Sequence, residues 1–75
     1  MIKFIELLAE SLGVSSSDIS LNLVFRSHPK WDSLAALTMI TAIEDDFGLI
    51  LNDMELQKLI TVQDLINFID KHKKL

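Results

Sequence analysis

Cysteine is absent from this chain, which removes disulfides, thiolate metal sites and any nucleophilic thiol encoded by the sequence itself. Any thiol chemistry has to be imported. Turn residues are scarce as well, with two glycines and one proline in 75 residues, too few for the many tight turns of an all-β architecture. Positive charge is in deficit: seven Lys and Arg stand against eleven Asp and Glu, giving a net charge of −4 and a sequence pI near 4.8. That balance argues against nucleic-acid binding as the main task and favours protein partners with basic patches. No apolar run approaches the ~20 residues of a membrane span, and the N-terminus lacks the charged, apolar and small-residue regions of a signal peptide. A cytoplasmic protein without a membrane span is expected.

What the chain does have is apolar content. Hydrophobic residues make up 49% of it, too many for intrinsic disorder. Its size is near the lower end for a domain that folds without metal or disulfide, since a chain of about 60 residues buries only roughly 60% of the surface it exposes unfolded. The expectation is one monomeric, all-α domain over residues 1–75.

Periodicity divides that domain. Ile2, Ile5, Leu8, Ala9 and Leu12 recur at helical spacing with Lys3, Glu6 and Glu10 between them, and Gly13 suits a left-handed C-terminal cap. Ser15, Ser16, Ser17 and Asp18 form a turn-forming run. Residues 19–31 show no clean period and are expected as a long loop whose apolar members, Trp31 among them, plug the core. The strongest helical pattern runs from Ser33 to Phe47. Ala36, Ile40, Ile43 and Phe47 fall on one face with Met39 at its border, while Leu34, Leu37, Thr38, Thr41 and Asp45 fall on the other. Two leucines one turn apart on an expected solvent face suggest a docking surface.

Gly48 suits a second helix cap, and Leu49-Ile50-Leu51 reads as a packed connector because no second strand exists to pair with it. Asn52 or Asp53 can cap a short helix from Met54 to Lys58, and Thr61-Val62-Gln63-Asp64 has the pattern of a capping box with Asp in place of Glu or Gln. Val62, Leu65, Ile66 and Ile69 form the buried stripe of the last helix, and Lys71, His72, Lys73 and Lys74 bring positive charge to its C-terminal end. The expected architecture is a small four-helix bundle: three main helices, one short helix, and a long loop between the first two.

Among chemistry-bearing residues, Ser33, Asp32 and His28 include the three types of a hydrolase triad, but His28 and Asp32 lie on one short loop with no oxyanion hole in prospect. His28 and His72 have no partner at metal-ligand spacing, and Glu44-Asp45-Asp46 diverge around a helix. Neither a catalytic nor a metal site is expected. Ser33 or Asp32 can serve as a helix cap, which for the tripeptide alone is a sufficient account. Ser33 also opens a helix whose N-terminal amides and dipole favour a phosphate on its hydroxyl. Arg26 and His28 lie near that serine in sequence and are expected to be solvated loop residues.

The chain resembles an acyl carrier protein of the phosphopantetheine-dependent family along its whole length. The resemblance rests on Asp32-Ser33-Leu34, on Ala42-Ile43-Glu44-Asp45-Asp46-Phe47-Gly48 at the end of the second helix, and on Thr61-Val62-Gln63-Asp64-Leu65 through Ile69. It implies that Ser33 receives 4′-phosphopantetheine from coenzyme A through a phosphopantetheinyl transferase. Acyl, aminoacyl or ketide groups are then held as thioesters for loading and transferring enzymes, and the chain itself catalyses nothing. By the same resemblance, the docking face is Leu34, Leu37, Thr38 and Thr41 with Glu44, Asp45 and Asp46 at its end. Lys30 stands where the family commonly has glycine, and Ala35 and Thr38 stand where acids are often found. A less acidic face implies a free-standing carrier for a specialised pathway. Two alternatives remain: a peptidyl or aminoacyl carrier of the same fold, and an unmodified helical protein-interaction module.

Overall fold

The computed structural model describes residues 2–72, which form four α-helices and two short 3-10 turns. These are α1 (Ile2–Leu12), α2 (Ser33–Phe47), α3 (Asp53–Lys58) and α4 (Val62–His72), with 3-10 turns at Ser16–Asp18 and Phe25–Ser27. The all-α bundle of three main helices and one short helix is therefore as expected. Its radius of gyration, 11.1 Å, matches the ~11 Å of a fully collapsed chain of this length.

Both glycines do the work their positions suggest. Gly13 (φ 71°) and Gly48 (φ 68°) adopt the left-handed conformation that ends a helix. After α1 the Val14 N–H donates to the Ala9 carbonyl at 2.9 Å and the Gly13 N–H to Glu10 at 3.1 Å, which satisfies carbonyls the helix leaves unpaired.

The core is built from α1, α2, α4 and the crossing between α1 and α2. Phe4, Leu8, Phe25, Met39, Ile43, Val62, Leu65 and Ile69 are its largest fully buried side chains. On α4 the expected stripe is the buried one. On α1 the stripe also includes Phe4 and Leu7, with Ile5 only half-buried, and the Ile2 side chain lies outside the described residues. On α2 the expected face needs rotating: Ala35, Met39 and Ile43 are buried, while Ala36, Ile40 and Phe47 are half-buried. Periodicity gives the width of an apolar stripe, but the helices packed on either side decide its centre. Lys73 and Lys74 lie outside the described residues.

The crossing segment is more ordered than its aperiodic sequence implies. Phe25 is completely buried on a 3-10 turn, and Trp31 packs edge-on against it with ring centroids 5.1 Å apart and an interplanar angle of 67°. Farther along, the Leu23 carbonyl accepts the Val62 N–H at 2.9 Å and the Leu21 carbonyl accepts the Gln63 N–H at 3.0 Å. The crossing thus satisfies the first two amides of α4.

The next α4 amide completes the capping box. Asp64 N–H donates to Thr61 Oγ1 at 3.1 Å, and Asp64 Oδ2 accepts the Thr61 and Ile60 N–H groups, each at 3.0 Å. Those backbone donors hold the Asp64 carboxyl below the usual carboxylate range. Its contribution to stability is present above that range and is lost as pH falls through the lowered value. Asn52 caps α3, with Glu55 closing a second box.

Phe25→Ala should cost about 3–5 kcal/mol, a large share of the ~5–15 kcal/mol that holds a domain together. Leu21→Ala, at a side chain 44% exposed, should stay within about 0.5 kcal/mol. Denaturant unfolding of the two variants checks that contrast.

Candidate functional site

Asp32 has extended backbone angles (φ −151°, ψ −175°), and its Oδ1 accepts the Ala35 N–H at 2.8 Å. It is the N-cap of α2. Ser33 is then the first residue inside the helix, with an exposed side chain. Among the described residues nothing hydrogen-bonds its hydroxyl, and nothing accepts from the Ser33 and Leu34 amides. The Ala36 N–H is already bonded to the Asp32 carbonyl at 3.0 Å.

The contrast with the other helix starts is informative. At α4 the chain's own carbonyls and side chains fill every first-turn amide. At α3 the first two amides are open as in α2, but the residues beside them are Asp53 and Met54, with no hydroxyl to esterify. Of the starts of α2, α3 and α4 among the described residues, α2 is the one where an exposed hydroxyl stands beside two open amides and the positive end of a helix dipole. These features fit a phosphodiester on Ser33 Oγ.

The outer face of α2 continues from that hydroxyl. Leu34 is 70% exposed and Leu37 62% exposed, and Thr38, Thr41, Glu44 and Asp45 are exposed as well. The six therefore share one solvent-facing surface. Ala35 does not belong to it, since it is buried in the core; an acid there would perturb packing, and only Thr38 reports on the charge of the face.

Arg26 differs from its expected role as a solvated loop charge. Its Nη1 donates to the Leu59 carbonyl at 2.6 Å and its Nη2 to the Leu56 carbonyl. The guanidinium also lies 4.7 Å from the Phe25 ring centroid. Its fork thus binds the carbonyl end of α3, where a cation is favoured. No local sequence signal marks the pairing, because the partners are backbone atoms about thirty residues away. His28 Nδ1 accepts the Lys30 N–H at 3.0 Å, and its carbonyl accepts the Trp31 N–H at 2.9 Å. It shapes the turn before Asp32 and, among the described residues, makes no hydrogen bond to Ser33.

Surface grooves lie on two sides of the bundle among the described residues. One, of about 310 Å³, lies between α1 and α2 and includes Leu7, Glu10, Thr38 and Asp46. The other, of about 330 Å³, lies between the end of α3 and α4. Ser33 lines neither. No cluster of three or more metal-ligating side chains occurs among the described residues, and none of their helices is long and apolar enough to cross a membrane.

Residues 3–69 match the family described as the phosphopantetheine attachment site. The match runs from α1 into α4. Members of this family carry covalently attached 4′-phosphopantetheine, and the domain is a carrier rather than a catalyst.

Arg26→Ala should destabilise the fold by roughly 1.5–3 kcal/mol, the range for hydrogen bonds to charged groups. Arg26→Lys should recover only part of that loss, because an ammonium cannot reproduce the planar fork across two carbonyls. Thermal or denaturant melts of the three proteins test this, and equal stability of the Lys and Arg forms would show that charge alone suffices.

Proposed function

We propose that this chain, which belongs to the phosphopantetheine attachment site family, bears its 4′-phosphopantetheine on Ser33. It acts as a free-standing, single-domain carrier in the cytoplasm for a specialised pathway such as polyketide, peptide, lipid or surface-glycan assembly. The observation that carries this reading is the division of labour between neighbours: Asp32 caps α2, so the exposed Ser33 hydroxyl is left for chemistry.

Attachment needs only a nucleophile that can be reached. A phosphopantetheinyl transferase holds coenzyme A, and Ser33 Oγ loses its proton as it bonds to the phosphorus next to the pantetheine. The bond from that phosphorus to adenosine 3′,5′-bisphosphate breaks. The open Ser33 and Leu34 amides then face the phosphodiester charge with hydrogen-bond donors already in place. When bound, the arm supplies the thiol that this cysteine-free chain lacks, and acyl, aminoacyl or ketide cargo is held there as a thioester.

Partner choice falls to the outer face of α2. Leu34 and Leu37 offer apolar anchors, Thr38 and Thr41 extend the surface, and Glu44 and Asp45 leave its acids at the far end. With the charge so placed, apolar contact contributes more, and electrostatic steering less, to partner choice. Enzymes with strongly basic carrier-binding surfaces are poor matches for such a face, which supports a dedicated pathway.

Incubation with coenzyme A and a broad-specificity transferase, followed by intact mass measurement, should show one phosphopantetheinyl unit added to the wild type and none to Ser33→Ala. An unmodified wild type, or an adduct that survives the substitution, rules the assignment out. The same measurement on protein from its own cells would identify the cargo. Leu37→Ala should lower kcat/KM for loading by the native partner about fivefold or more, the scale of a ~1 kcal/mol interface residue, with no change in thermal midpoint.

A further inference from the structure

The groove between the end of α3 and α4 is unlike the rest of this acidic protein. Its floor is the half-buried pair Leu59 and Phe68, and His72 packs on Phe68 with ring centroids 4.5 Å apart. Its rim carries Lys58, Lys71 and Asn67. The Asn67 Oδ1 accepts from Gln63 Nε2 at 2.9 Å, while its amide NH₂ has no hydrogen-bond partner among the described residues. The acid in the lining, Asp64, is committed to the α4 cap through the Thr61 and Ile60 N–H groups. What remains around an apolar floor is a set of hydrogen-bond donors and cations.

Helix dipoles explain part of this placement but not all of it. Lys58 and Lys71 each sit in the last turn of a helix, where a cation is favoured. The α3 end, however, is already served by Arg26, which occupies the Leu56 and Leu59 carbonyls. Among the described residues no carboxylate pairs with Lys58 or Lys71. In the sequence Lys73 and Lys74 follow directly after the last residue of α4.

We infer that this groove binds an acidic segment of a partner protein, with one aromatic or aliphatic side chain seated on Leu59 and Phe68 and flanking carboxylates facing Lys58 and Lys71. Size and charge favour this occupant. A volume of about 330 Å³ is at the small end of the ~300–1,000 Å³ of ligand sites, enough for one or two side chains. A long polyanion or an anionic membrane would also meet the net charge of −4, whereas a short segment feels mainly the local field, within the ~8 Å screening length at physiological salt. The groove is separate from the outer face of α2, so a partner held here leaves Ser33 and its docking surface unobstructed. Nothing in the inference depends on modification of Ser33.

The test is an NMR titration of the ¹⁵N-labelled, unmodified chain with the capped peptide Glu-Asp-Phe-Asp-Glu, against Lys-Lys-Phe-Lys-Lys and inorganic phosphate. The acidic peptide should shift the Asn67, Phe68 and Lys71 amides saturably. K58E/K71E should weaken that binding about tenfold or more, K58Q/K71Q should weaken it less, and salt near 1 M, where the screening length is ~3 Å, should nearly abolish it. Ser33→Ala should bind as the wild type does. Amide spectra of the variants establish that each is folded. Equal response to the lysine peptide or to phosphate, shifts confined to other surfaces, or unchanged affinity in folded K58E/K71E would overturn the inference. Shifts at the groove that grow with protein concentration alone would assign it to a second copy and overturn it equally.

Discussion

Every helix begins with backbone N–H groups that its own turns cannot satisfy, and this small fold is organised by how each set is met. At α4 the donors take carbonyls of Leu23 and Leu21 and the Thr61 hydroxyl, so the start of the last helix also fastens the crossing between the first two. At α3 Asn52 and Glu55 cap each other's backbone. At α2 Asp32 meets one donor and leaves the amides of Ser33 and Leu34 open. The same obligation that closes the fold at one helix leaves two donors open beside the Ser33 hydroxyl at another.

Fastening the crossing matters because the core is small. Phe25 comes from this segment rather than from a helix, yet it is among the largest buried side chains. Arg26, next to it, grips the carbonyl end of α3. A helix of six residues that buries only Leu56 has little packing of its own, and isolated helices so short are unstable in water. The Arg26 fork and the Asn52 box compensate at its two ends. Burial of one residue of the crossing and charge on the next thus position both the segment leading to Ser33 and the short helix beside it.

The family match covers residues 3–69, and within that span the exposed hydroxyl of Ser33 at the start of α2 is the proposed attachment point. A carrier needs a hydroxyl that a transferase can reach, a helix start that tolerates added negative charge, and a surface that other enzymes can recognise. Here these are neighbours on α2, and the residues that build the core, Ala35, Met39 and Ile43, occupy the opposite face of the helix.

How much of this was legible in the residues follows from the range of the interactions involved. The four helices, both glycine caps, the Thr61–Asp64 box and the exposed leucines depend on neighbours within a turn or two, and spacing alone determined them. Asp32 and Ser33 are adjacent, so the placing of a cap beside a free hydroxyl was open to the same kind of argument. Contacts that span the chain were not. The Arg26 pairing with Leu56 and Leu59, the loop carbonyls taken by α4, the burial of Ala35 and the joining of Lys58 to Lys71 across a groove all arise when distant segments meet. A periodic pattern records which residues share a face, whereas only packed neighbours decide which part of that face is covered, and the tertiary structure supplies those.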